Sequence, residues 1–175
     1  MPSQYTFTDY SPDWPSEFNR EAERLKALLG DDLVAVHHIG STSVPALAAK
    51  PIIDLLPLVR SIEYIEERTP LLQQAGYLAW GENGLPGRRF FTKDRGSFRT
   101  HNLHFYQADH SDVERHLAFC DYLRHHAHAR LEYEALKREV YARHPADIAV
   151  YSEGKNAWIK RIELVAIAWY RQQLH

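Results

Sequence analysis

The stretch that decides the reading is His38-Ile39-Gly40-Ser41-Thr42-Ser43-Val44-Pro45, followed after a short interval by Lys50-Pro51-Ile52-Ile53-Asp54. A β-rich run, Leu33 to Ile39, ends in a Gly-Ser-Thr-Ser turn. A second apolar run, Pro51 to Val59, carries one carboxylate in its middle. Gly40 lets the backbone turn sharply and come close to a ligand. The amides and hydroxyls after it can face an anion. Asp54 is a charge where a buried strand should want none, so a partner, a solvated cleft or a metal must compensate it. Phosphate donors beside an acid on the next strand point to a nucleotide and metal site.

Working outward, Pro12 to Gly30 reads as an amphipathic helix with Trp14, Phe18, Ala22, Leu25 and Leu29 on one face. Pro45 to Lys50 reads as a short helix with proline near its start. Ile52 to Val59 is apolar on both faces and reads as a central strand. Ser61 to Ala75 reads as a helix capped by Ser61 and stopped by Gly76. Tyr77 to Trp80, Arg88 to Lys93 and Asn102 to Gln107 read as strands, the last two as an antiparallel pair. Ser111 to His126, Ala127 to Arg143 and Ser152 to Tyr170 read as helices, the last presenting Trp158, Ile162, Val165 and Trp169. The order describes an α+β fold over residues 1–175: a mixed β-sheet core, an N-terminal helix and C-terminal helices, in one domain.

Composition narrows the function. The 175 residues carry a formal net charge of −2, which gives no sign of a broadly basic nucleic-acid binder. Nucleic acid is therefore not the expected partner. No apolar run is long enough to span a bilayer, and the first residues lack the pattern of a signal peptide. Cys120 is the sole cysteine, which fits a reducing compartment. A cytoplasmic protein without a membrane segment is expected.

The candidate site residues follow from these segments. Gly40, Ser41 and Thr42 are the phosphate cradle. Asp54 is the metal anchor, although the next residue on its face is Leu56 rather than a second acid. Glu82 or Asp94 could supply that acid from elsewhere. Lys50 and the pair Arg88-Arg89 are candidates to neutralise phosphate. His101 and His104 point to opposite faces of their strand, a poor chelating pair. His104 shares its face with Asn102 and Tyr106, and is a candidate to orient an acceptor or act as general base. Arg124, Lys137, Lys155 and Lys160 lie on helices, and spacing alone does not select among them.

With these residues in view, the chain resembles the GrpB-like family, whose fold belongs to the nucleotidyltransferase superfamily. The resemblance is carried by Tyr10-Ser11-Pro12-Asp13-Trp14 with Phe18 and Glu21, and most strongly by the two central motifs from His38 to Asp54. It continues through Gly76-Tyr77, Gly87-Arg88-Arg89-Phe90-Phe91, Thr100-His101 with His104, and Leu117-Ala118-Phe119. Asp121-Tyr122-Leu123-Arg124, Tyr133 with Leu136-Lys137, and Tyr151 with Lys155 complete it. The family usually has glycine where Ala46 stands and arginine where Cys120 stands. The resemblance implies that Gly40 and Ser41, with His38 beside them, belong to the phosphate motif and that Asp54 matches the first magnesium-binding acid. It implies a nucleotide or other phosphorylated small molecule as ligand and magnesium as cofactor. Two functions fit: a magnesium-dependent nucleotidyltransferase, or a non-catalytic ligand-binding or protein-interaction module that keeps the fold.

Overall fold

The computed structural model describes residues 5–175. Five strands form a mixed sheet in the order β1-β2-β5-β4-β3. They are β1 (Leu33–Ile39), β2 (Ile53–Val59), β3 (Leu78–Ala79), β4 (Arg89–Arg95) and β5 (Phe98–Gln107). β2 pairs antiparallel with β1 and parallel with β5, and β4 pairs antiparallel with β5 and β3. β2 is thus flanked on both sides, as its apolar faces require.

Alternation along β2 divides the core. Ile53, Leu55 and Val59 face α1 (Trp14–Leu29) and α2 (Glu63–Gln74), where they pack with Trp14, Leu25, Leu29, Ile65 and Leu72. Leu56 and Leu58 face the other way, onto Val113 and Cys120 of α3 (Ser111–His125). A third cluster joins Val44 and Leu47 to Leu123, to Ala129 and Tyr133 of α4 (Ala127–Arg143), and to Trp158 and Ile162 of α5 (Ile148–Gln173). The segment after the Gly-Ser turn is therefore the seat on which the C-terminal helices rest.

Three local expectations are corrected. Pro45 to Lys50 is not a helix. A single 3-10 turn spans Ser41–Ser43, Ala46 adopts φ 65°, and Ala49 pairs with Thr8 in an isolated bridge. Its apolar side chains are drawn in opposite directions, Leu47 toward the helices and Ala49 toward the α1 side, which a helical turn cannot satisfy. Ser61 does not cap α2; its hydroxyl donates to the Glu63 carboxylate at 2.6 Å instead. α5 begins at Ile148, capped by the Asp147 carboxylate on the Val150 amide, and buries Ala166 while Val165 is exposed.

Candidate functional site

The register of the sheet builds the site. Asp54 lies opposite Ile39 on β1 and Asn102 on β5, so the residue after Ile39 meets the Asp54 side chain. That residue is Gly40, at φ 71°, and a Cβ there would stand 2.5 Å from Asp54 Oδ2. Glycine is required both for the left-handed backbone and for the space.

The Asp54 carboxylate is held from β5. Asn102 Nδ2 donates to Oδ1 at 3.1 Å, and His104 Nε2 reaches the same oxygen at 3.2 Å. Arg88 Nη1 lies 3.3 Å from His104 Nδ1. A guanidinium only donates, so Nδ1 accepts and the proton sits on Nε2, directed at Asp54. Burial would push the Asp54 carboxyl up; the His104 and Asn102 bonds and the charge of Lys50 outweigh it and hold it below its ordinary range.

Above Asp54 lies a cavity of about 220 Å³ between the sheet and the C-terminal helices. Gly40, Ser41, Thr42, Lys50, Asp54 and Asn102 line one side, and Tyr133, Lys137, Tyr151 and Lys155 the other. Lys137 is almost fully buried and lies 2.9 Å from Ser41 Oγ, with the Ala48 carbonyl as a second partner. Burial, then the charge of Lys155, pushes its amine down to about 6. Lys155 is pushed down to about 7 by burial and by Lys50. Both amines stand over tyrosine rings of their own helices, Lys137 4.6 Å from the Tyr133 centroid and Lys155 4.4 Å from that of Tyr151. Lys50 lies 5.2 Å from the Tyr151 centroid.

The structure thus brings together Gly40, Ser41, Thr42, Lys50 and Asp54, with His104 behind the acid. It does not bring the others. His38 is stacked on Phe18, its ring planes 4° apart, and its Nε2 meets Thr42 Oγ1 at 2.9 Å. The Thr42 hydroxyl donates to the Ile52 carbonyl, so both groups hold the turn in shape. Arg88 is buried and donates to the Glu82 and Asn83 carbonyls besides meeting His104. Arg89 pairs with Glu66 and lies 3.7 Å from Glu82.

Tyr133 and Tyr151 were not singled out as site residues from the sequence; Asn102 was placed only on the face of His104, and Lys137 and Lys155 only among four helical cations that spacing does not separate. One signal was present: Tyr133/Lys137 and Tyr151/Lys155 are two copies of Tyr-x-x-x-Lys, which places the ring and the amine on one helix face.

The paired acids expected for magnesium do not assemble. Leu56 is fully buried among apolar side chains. Glu82 accepts from the Gly87 amide, and Asp94 pairs with Arg99 at 2.6 Å. Among the described residues, no group of three or more His, Cys, Asp or Glu side chains is placed to hold a metal ion. One carboxylate opposed by three lysines does not fit a two-metal centre.

Residues 4–164 match the family described as GrpB protein. The chain belongs to the GrpB family. It is 47% identical over 160 residues to the protein YqkA of Bacillus subtilis, covering 91% of this chain and 46% of that one. The chain therefore spans about half the length of that relative. The crystal structure of the conserved protein GrpB from Enterococcus faecalis superposes with a TM-score of 0.91 at 43% identity, covering 94% of this chain and 99% of that one. A structure of Cid1 in complex with its short product ApU matches with a TM-score of 0.54 at 14% identity, covering 84% of this chain and 48% of that one. At that identity the likeness is one of fold alone, shared with Cid1 over 84% of this chain. Among the described residues, no helix is long and apolar enough to cross a membrane.

Proposed function

We propose that this GrpB-family chain binds the phosphates of a small phosphorylated molecule, and that the class of molecule is a nucleotide. The observation that carries the reading is the convergence of Lys50, Lys137 and Lys155, from three separate segments, on the cavity lined by Gly40 and Ser41. Holding three amines together inside a protein costs free energy through desolvation and mutual repulsion. An anion relieves both. In this reading Ser41 and the Gly40 turn contact phosphate oxygens, the lysines neutralise them, and Asp54 Oδ2 accepts from a ligand hydroxyl. His104, held by Arg88, is a positioning residue for Asp54, because both of its ring nitrogens are already engaged.

Titration calorimetry with nucleoside triphosphates and with inorganic tripolyphosphate tests it. Both bind the wild-type chain, and Lys137→Met lowers both affinities at least tenfold. Failure of every such anion to bind at millimolar concentration overturns the reading.

Between the two functions left open by the sequence, ligand binding without nucleotidyl transfer is favoured by Leu56, and by Asn102 standing as an amide directly beside Asp54. Incubation with labelled nucleoside triphosphates and candidate acceptors separates the two. Turnover lost in Asp54→Asn would establish the transferase and overturn the binding-only reading.

A further inference from the structure

A second cavity, of about 250 Å³, opens on the other side of Lys50. Its walls are Pro51, Ile52, Tyr5 and Phe98, with Arg95, Arg99, Thr6 and Thr100 around them. Lys50 and Ile52 line both cavities. The Lys50 ammonium lies to one side of two rings that meet where the cavities adjoin, 5.2 Å from the Tyr151 centroid in the first cavity and 5.9 Å from the Tyr5 centroid in the second, with the two centroids 5.7 Å apart. A ligand whose phosphates engage Lys50 therefore has the second cavity within reach of its remaining atoms.

The chemistry of that cavity is specific. Phe98 opens β5 opposite Arg95, the last residue of β4, and the residue is 45% exposed. Arg99 is held by Asp94 at 2.6 Å, with Asn102 Oδ1 as a second partner. An uncovered aromatic ring beside planar guanidinium groups is suited to a flat, polar, aromatic guest. The three cations on its wall and the phosphate-binding cavity alongside require that guest to be part of an anion.

We propose that the cavity between the β4–β5 hairpin and Pro51-Ile52 holds the base of a nucleotide whose phosphates lie on Lys50, Lys137 and Lys155. The inference rests on the phosphate reading above and adds to it the location of the base. Phe98 stacks on one face of the ring, and Arg95 and Tyr5 line the same cavity beside it. Recognition by stacking tolerates every base, so purine and pyrimidine nucleotides bind with similar strength.

The test compares tripolyphosphate with nucleoside triphosphates by calorimetry on the full chain. A stacked base is expected to make the nucleotides about tenfold tighter than tripolyphosphate. Phe98→Ala, at an exposed hairpin end where folding is not at stake, brings nucleotides down to the level of tripolyphosphate and leaves tripolyphosphate unchanged. Arg95→Ala has the same selectivity with a smaller effect. Lys137→Met weakens both ligands alike. Equal affinity of tripolyphosphate and nucleotides for the wild type, or a Phe98→Ala effect on both, overturns the base site and leaves the phosphate reading standing. Failure of both to bind overturns the phosphate reading, and the base site with it.

Discussion

At Gly40 two demands coincide, a positive φ and the absence of a Cβ beside Asp54 Oδ2. Gly40→Ala is expected to cost about 3 kcal/mol in chemical denaturation, from backbone strain plus displacement of the acid. Ala46 is the converse case. It holds φ 65° with a side chain. Ala46→Gly is expected to stabilise the chain by about 1 kcal/mol, the left-handed strain relieved less the added freedom of the unfolded chain. Gly40 was legible in the sequence as a turn residue, because it ends a β-rich run ahead of Ser-Thr-Ser; that the Asp54 carboxylate fills the place of its Cβ was not, since that depends on the register of β1 against β2. That Ala46 is strained was not, since alanine gives no local sign of a positive φ. Nor was the spending of His38 and Thr42 on each other, a contact that depends on how the turn closes. Lys137 adds a pH dependence. Its folded value of about 6 lies below the ordinary lysine value of 10.5, so between these the unfolded chain binds more protons. Stability owed to this group therefore rises as pH is raised from about 6 toward 10.5, and is flat below 6 where both states are protonated. Lys137→Met is expected to flatten the stability profile across that window.

The elements were read well where one face repeats and less well where a polar group is buried. The α1 stripe of Trp14, Phe18, Ala22, Leu25 and Leu29 turns inward as its spacing requires, with Trp14, Leu25 and Leu29 in the core, Phe18 packed against it and Ala22 buried. Glu21 lies beside that stripe and is buried as well. It accepts from the Tyr77 hydroxyl and from Lys93, at 2.8 and 3.0 Å for the latter, and His101 Nε2 lies 3.9 Å away. These groups come from α1, the turn before β3, β4 and β5, so the network ties the N-terminal helix to the far half of the sheet. Burial would push the Glu21 carboxyl up; Lys93, Tyr77 and the charge of His101 hold it down. Glu21→Gln leaves the Lys93 charge without its counterion and is expected to cost about 3 kcal/mol in denaturant unfolding, with no change in phosphate affinity because the network lies on the opposite sheet face from Asp54. The repeated Tyr-x-x-x-Lys pattern on α4 and α5 belongs to this scale too. Each copy alone is an ordinary pair of helix neighbours. Only the folding of both helices over the Gly-Ser turn turns them into one wall of a cavity, and a single sequence does not encode which helical lysines will face inward.

At the scale of the molecule, the candidate site is a joint between two layers. The sheet supplies Asp54 from its internal strand β2, and the segment between β1 and β2 supplies Gly40, Ser41 and Lys50, while α4 and α5 supply the tyrosines and the remaining lysines. An anion bound there is touched by both layers and must stabilise their docking. At a concentration one hundred times its dissociation constant, a ligand that binds only the folded chain adds about 2.7 kcal/mol. The charges also decide how binding responds to metal and protons. Lys137 and Lys155, pushed to about 6 and about 7, recover protons when a phosphate arrives beside them. At pH 8 tripolyphosphate binding is expected to take up protons, seen as a calorimetric heat that varies with the ionisation enthalpy of the buffer. The same argument predicts the behaviour of Asp54. If the lysines bind the phosphates, the carboxylate repels them, and Asp54→Asn tightens tripolyphosphate binding severalfold while chelation of divalent ions with EDTA leaves the thermal shift intact. A paired-acid metal centre predicts the reverse on both counts. Loss of the thermal shift in EDTA, together with weaker binding by Asp54→Asn, would show that a metal ion rather than the lysine cluster holds the phosphates.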